Sequence, residues 1–362
     1  MPDCFEVTMI EGKGRGIVAS RRIQRGEVIH REKPLIEFRL GQDLNTLEQQ
    51  FYALPAAKQE AVMGLFDSGA FNSGAEKSLL GIYVTNAVLC TGSLFDSNMF
   101  ETVSYFNHSC SPNVRFVWDE DAKEEVVVAC VDIEAGRELC PNYVDACAPR
   151  AIRRAVLWEG YHFECSCVAC DEVNVASSDA RRTRLSELGE LFGNGTSMPL
   201  QLTRGMFVSS VLATEALARF ASETLALHAD EGIATSQVAE AAVRCALHSA
   251  VVAGDGEGAR RWLSEALDMW SIRYGNDHAE MRRLQAYAQD YHLCGKSSAR
   301  GGGIGSAPPR TFLQSICRYT PCADGSYMVR GCMVGGASVA KWFRRASTPR
   351  NCSTGVLALP RH

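Results

Sequence analysis

Cys165, Cys167 and Cys170 stand within six residues, and this C-x-C-x2-C run constrains the chain more than any other feature. The chain carries fifteen cysteines in 362 residues, about twice the usual share. Its start, MPDCFEVTMI, lacks a basic stretch followed by an apolar core, which predicts a reducing intracellular setting. There, clustered thiols favour metal binding or catalysis over a disulfide framework. Three thiolates cannot close a tetrahedral structural zinc site, so a fourth ligand has to come from elsewhere. A redox pair and inert buried thiols are the other readings of the same run.

Charge narrows the partners. From Lys296 onward there are ten Lys/Arg against the single acid Asp324, while residues 1–295 hold 27 bases and 41 acids. An acidic body steers basic partners towards it and disfavours nucleic acid. No run approaches the roughly 20 apolar residues of a membrane span.

Texture divides the chain. Up to Leu40, Ile17, Val18, Val28 and Ile29 among glycines and basic residues read as short strands, with a turn near Arg25-Gly26. Residues 41–81 read as helical: Leu47, Phe51 and Leu54 recur at helical spacing, and Pro55 opens a second helix. Strand chemistry returns over 82–147, at Ile82 to Val84, Val114 to Trp118 and Val126 to Val131, with Asp119-Glu120-Asp121 as a hairpin loop. Past Pro149, AIRRAVLWEGY predicts one short helix running into the cysteines, so 148–175 forms a unit. Residues 176–295 read as successive helices; Trp262, Leu263, Ala266, Leu267 and Trp270 mark one face. The segment 296–362 is rich in Gly, Ser, Pro and Arg and reads as a disordered tail.

Four segments carry chemistry: Lys13-Gly14-Arg15-Gly16, Asn107-His108-Ser109-Cys110-Ser111-Pro112-Asn113, Glu138-Leu139-Cys140-Pro141-Asn142-Tyr143, and Phe163 through Cys170. Taken singly, each has an ordinary reading: a hairpin turn, a self-capped turn, a half-buried strand tyrosine, core aromatics. In this order they resemble the SET-domain protein lysine methyltransferases. The likeness is to the SMYD-like branch, in which a helical insert splits the domain and helices follow it. It covers about residues 5–172, and more loosely reaches 293. With no cysteine between Cys4 and Cys90, the insert holds no MYND zinc module.

The resemblance implies roles for these positions. Lys13, Gly14, Arg15, Gly16, Asn107 and His108 would hold S-adenosylmethionine, with Asn86 as a further contact and Phe163 stacked on the adenine. Tyr143 would be catalytic and also touch the cofactor, aiming a neutral lysine amine at the methyl group; Tyr161 would line the lysine channel. Cys110 would complete a structural zinc site with Cys165, Cys167 and Cys170. Pro141 lacks a backbone donor and predicts a displaced strand at Tyr143.

The expected fold is therefore α+β: a β-rich SET domain with a helical insert and a zinc-binding post-SET segment, followed by an all-helical C-terminal region. The expected activity is methyl transfer from S-adenosylmethionine to lysine in a basic protein or peptide, such as a histone tail. The expected form is a monomer, cytoplasmic or nuclear, binding neither membrane nor nucleic acid. Two alternatives stand beside it: a lysine methyltransferase for non-histone targets, and a non-catalytic SET scaffold, which Pro141 favours.

Overall fold

The computed structural model describes residues 4–39, 42–70, 76–90, 96–173, 175–192, 210–234, 236–253 and 255–276, with a few positions up to 289. Beyond these it describes only two short strands, 319–321 and 327–329, so the expectation of a disordered tail lies largely outside the described residues.

Small sheets build the first part. Strand β1 (Phe5–Ile10) and β2 (Gly14–Ala19) form an antiparallel hairpin with Ile10 opposite Gly14. Strand β3 (Val28–Glu32) pairs with β8 (Glu124–Ala129), which pairs with β7 (Val114–Asp119). The β7–β8 connection turns at Asp119 to Lys123, where Lys123 takes the left-handed φ of 56°. Strands β4 (Ile36–Arg39), β6 (Asp96–Met99) and β5 (Val88–Leu89) form a third sheet in that order. The core between these layers holds Ile17, Ile23, Phe100, Phe106, Val114, Val127 and Leu139.

The insert lies between β4 and β5. Helix α1 (Leu44–Ala53) starts where the Asp43 side chain accepts the Asn45 N–H, and α2 (Ala56–Gly64) starts after Pro55. Leu47, Phe51, Val62 and Leu65 pack on Ile36 and Phe38, which fixes the insert to the third sheet. Residues 82–84 correct the strand expected there, because they lie in helix α3 (Leu79–Asn86). Ser78 caps this helix by accepting the Gly81 N–H at 2.9 Å, and Asp67 accepts the Ser78 N–H at 3.0 Å. An apolar run this short carries no decisive period, so the cap decides the outcome.

Helix α4 (Arg150–Tyr161) follows Pro149 and ends at His162, which adopts the left-handed φ of 54°. Beyond it come α5 (Val175–Phe192), α6 (Ser210–Asp230), α7 (Gln237–Ala253) and α8 (Gly256–Tyr274). Ala239, Ala242, Ala246 and Ala250 let α7 approach its neighbours closely, and Trp262, Leu263, Ala266 and Trp270 fill the space. Glu240 on α7 accepts from Arg115 of β7 at 2.7 Å and from Arg273 of α8 at 2.8 Å, which docks the helices on the sheet. No helix among the described residues is long and apolar enough to cross a membrane.

Candidate active site

The β1–β2 turn supplies the first wall. Gly14 has φ of 74°, the left-handed region that glycine occupies without strain. At Gly16 the requirement is space, since a Cβ there would lie 2.5 Å from Ile10 Cγ1 and 2.8 Å from Asn107 Nδ2. This bare backbone lets Asn107 close in, and its Nδ2 donates to the Arg15 carbonyl at 3.1 Å and to Glu138 Oε1 at 2.9 Å. Lys13 Nζ reaches the other oxygen of Glu138 at 2.6 Å. Glu138, largely shielded from solvent, therefore joins the turn to the Asn107 segment. Sequence reasoning did not single out Glu138, because the motif that contains it points to its tyrosine.

Arg15 points towards the insert. Its guanidinium sits 4.4 Å over the Tyr105 ring, donates to Tyr105 Oη at 3.2 Å, and bonds the Gly64 carbonyl at the end of α2. Asn86 uses its amide nitrogen on the Phe66 and Ile82 carbonyls, both at 2.7 Å.

The second wall is the crossing of residues 106–113 and 138–143. Ser109 N–H donates to the Pro141 carbonyl at 2.9 Å, and Asn113 N–H to that of Cys140 at 3.0 Å. The Asn113 side chain accepts the Cys140 N–H at 2.7 Å and donates to the Glu138 carbonyl at 2.8 Å. His108 Nδ1 accepts the Tyr143 N–H at 2.9 Å. Tyr143 thus stands on an irregular segment, held by backbone bonds from Ser109 and Asn113 and by the side chains of Asn113 and His108, and not on a strand, which corrects the strand expected there. The reason is local: Pro141 has no N–H to give a ladder, and these contacts ask for none.

Tyr143 is held at both ends, since its hydroxyl donates to the Phe106 carbonyl. Burial, with Tyr161 beside it, pushes the phenol above the ordinary tyrosine range, so it stays a protonated donor at neutral pH. Its ring centroid lies 4.9 Å from that of Tyr161 and 5.3 Å from that of His108, with Phe163 6.1 Å from His108. The left-handed His162 lets the chain leave α4 with Tyr161 and Phe163 both facing this group. The result is a half-buried aromatic box with one hydroxyl anchored in it.

Below the box lie Cys110, Cys165, Cys167 and Cys170, whose sulfurs all fall within 4.8 Å of one another. Cys110 Sγ is 3.6 Å from that of Cys170 and 3.9 Å from that of Cys165. A tetrahedron of zinc–sulfur bonds of about 2.3 Å would place sulfurs about 3.8 Å apart, so the spacing fits a four-thiolate metal site. A second observation agrees. Arg153 is wholly buried, and no carboxylate among the described residues pairs with it; instead Nη2 lies 3.7 Å from Cys170 Sγ and bonds the Ala169 carbonyl. A buried guanidinium needs an anion, and a zinc ion with four thiolates is a dianion. Hydrogen bonds from Cys110 and Cys165, with Arg153 adding, draw the Cys170 thiol down to about 6.

Helix α5 ties this region to the helical part. Buried Arg182 pairs with Glu231 at 2.7 Å and bonds the Ala146 carbonyl, while Ser111 Oγ donates to the Glu231 carbonyl at 3.0 Å. Each side of the cysteine-bearing loop is therefore anchored.

Residues 14–144 match the family model described as the SET domain. Histone-lysine N-methyltransferase set5 of Schizosaccharomyces pombe is 32% identical over 187 residues, 51% of this chain and 56% of that protein. Protein-lysine N-trimethyltransferase SMYD5 of Homo sapiens is 38% identical over 101 residues, 26% of this chain and 24% of that one. N-lysine methyltransferase SMYD2-B of Danio rerio is 35% identical over 94 residues, 25% and 21% of the two chains. The matches span about half or less of these relatives' own length.

Proposed function

We propose that this SET-domain chain is a protein-lysine N-methyltransferase using S-adenosylmethionine, with a structural zinc ion on Cys110, Cys165, Cys167 and Cys170. The observation that carries the reading is Tyr143, a residue anchored at its amide and at its neutral hydroxyl inside the aromatic box. The first wall suits an amino-acid end: Lys13 is a cation for a carboxylate, and Glu138 and Asn107 offer oxygens to an ammonium group, while Arg15 is turned towards the insert. S-adenosylmethionine supplies the methyl group as an electrophilic carbon on a sulfonium. Phe163 provides a flat apolar face of the kind an adenine stacks on.

The chain's own residues act mainly by placement. A lysine ammonium has an ordinary pKa of about 10.4, and an apolar, low-dielectric passage favours its neutral form. The rings of Tyr143 and Tyr161 supply such a passage. A neutral amine held here would have its lone pair free to take the methyl group from the bound cofactor, and the methylated ammonium would then shed a proton to water. Tyr143 Oη and the Phe106 carbonyl fix the direction of approach, and alignment of this kind contributes a large part of the barrier reduction. The relatives' names point to histones in one case and to protein lysine more broadly in the others, and the acidic body suits basic targets of either kind. The cysteine-free insert supports reading the chain as a SMYD-like form without the MYND zinc module.

The test is transfer from methyl-labelled S-adenosylmethionine to mixed histones and to a cytosolic protein extract, wild type against Tyr143→Phe. Label that falls by about a hundredfold in the variant, with cofactor affinity retained, supports the reading. Cofactor binding with no label on any protein would favour a non-catalytic scaffold.

A further inference from the structure

We propose that Glu138 is a positioning residue that turns the Asn107 carboxamide one way round, so that this wall of the site selects a ligand carrying an ammonium group. The identity of that ligand rests on the S-adenosylmethionine reading. Asn107 Nδ2 has two hydrogens, and both are committed: one to the Arg15 carbonyl at 3.1 Å and one to Glu138 Oε1 at 2.9 Å. Turned over, the carboxamide would set its oxygen against two other oxygens. The side chain of Asn107 therefore has only Oδ1 left for a ligand, and an oxygen recognises a donor. The Arg15 carbonyl alone would use one hydrogen and leave the other to act as a donor in the site. It is the carboxylate of Glu138 that removes that donor.

The carboxylate is itself held in place. Its backbone is pinned where the Leu139 N–H donates to the Ile17 carbonyl at 2.8 Å and where Asn113 Nδ2 donates to the Glu138 carbonyl at 2.8 Å. Its second oxygen accepts from Lys13 Nζ at 2.6 Å. Gly16 leaves the room, since a Cβ there would stand 2.8 Å from Asn107 Nδ2 and 3.2 Å from Glu138 Oε1. Two donors thus meet two acceptor oxygens. A carboxamide in the same place offers one oxygen and one nitrogen that only donates, so it can satisfy Lys13 or Asn107 but not both.

Calorimetric titration of the full chain compares S-adenosylmethionine with the analogue that carries hydrogen in place of its α-ammonium group. Glu138→Gln weakens binding of S-adenosylmethionine by about tenfold to a hundredfold and that of the analogue by less than about twofold, because only the ammonium group makes the lost contact. Asn107→Ala gives the same pattern, and the double variant adds less than about twofold to either single one. An equal loss of both ligands in Glu138→Gln, which is the pattern expected of Lys13→Met, would overturn the proposal, as would losses that add in the double variant. Should wild type bind neither ligand, the S-adenosylmethionine reading falls. In that case, or if the variant folds poorly, hydrogen exchange of the Asn107 side-chain amide in unliganded wild type decides. Both hydrogens exchanging at least about tenfold more slowly than in free asparagine support the positioning role, and either one exchanging at the free rate refutes it.

Discussion

Replacing Asn113 with alanine tests whether side chains, in place of a β-ladder, hold the segment that carries Tyr143. The substitution removes two hydrogen bonds, the 2.7 Å contact from Cys140 N–H and the 2.8 Å contact to the Glu138 carbonyl. The flanking residues Leu139, Cys140 and Pro141 are buried, so water cannot readily replace either partner. An unsatisfied buried polar group costs about 1–3 kcal/mol, so the two left here predict a loss of about 2–6 kcal/mol in total. The remaining contacts, Ser109 to Pro141, the residue-113 amide to the Cys140 carbonyl and Tyr143 to His108, keep the segment in place but with a looser register. A displacement near 1 Å at a reacting group costs about a hundredfold in rate, so kcat should fall further than cofactor affinity. Urea denaturation gives the stability change and single-turnover methyl transfer gives the rate. A variant that loses less than about 0.5 kcal/mol and keeps its rate would refute the reasoning. The segment would then owe its position to the core beneath it, with Asn113 as a bystander.

Gly16→Ala should abolish cofactor binding at a modest cost in stability, because a Cβ collides with the Ile10 and Asn107 side chains without entering a forbidden φ; calorimetric titration with S-adenosylmethionine checks it. Glu125, buried on β8, has its carboxyl pushed up to about 8 by desolvation. Its folded pKa exceeds the unfolded value of about 4.3, so the protonated form stabilises below that value and stability is lost as pH rises through 8. Glu125→Gln should therefore melt above wild type at pH 9 and level with it at pH 4, in scans by differential scanning fluorimetry. Glu240 has the opposite sign. Buried, and with Arg115 and Arg273 outweighing desolvation, it is held down to about 2. Its stabilisation, about 3 kcal/mol, is present above the unfolded pKa and lost as pH falls towards 2. Glu240→Gln should lose that acid dependence, and acid titration followed by circular dichroism would expose a contrary result.

What the sequence makes legible is whatever repeats or punctuates. Helices α1, α2 and α4 follow from Leu47 and Phe51 at helical spacing, and from Pro55 and Pro149 at their starts. The β7–β8 hairpin follows from two β-branched runs around Asp119. Helix α3 is not legible in the same way. Ile82, Tyr83 and Val84 have strand propensity, and the decisive partner, Asp67, lies eleven residues before the Ser78 it braces. At the site, the four cysteines are visible as ligand types and converge in space. Arg153 is invisible as their neighbour, because the one-turn rise of α4 that aims it at Cys170 exists only after folding.

Pro141 shows why the same residue reads differently in one and three dimensions. In the sequence it is a missing donor in a strand next to the proposed catalytic tyrosine, and it weighs towards a scaffold. In the fold its carbonyl is what matters, accepting from Ser109, and the donors around it come from Asn113 and the Cys140 and Tyr143 amides. The local penalty for proline is the loss of an N–H bond, and here no partner stands waiting for one. Its ring also narrows the backbone freedom of the unfolded chain just before Tyr143, which favours the ordered state. A residue that looks like an interruption thus stiffens the segment it interrupts, and the structure gives it no weight against activity.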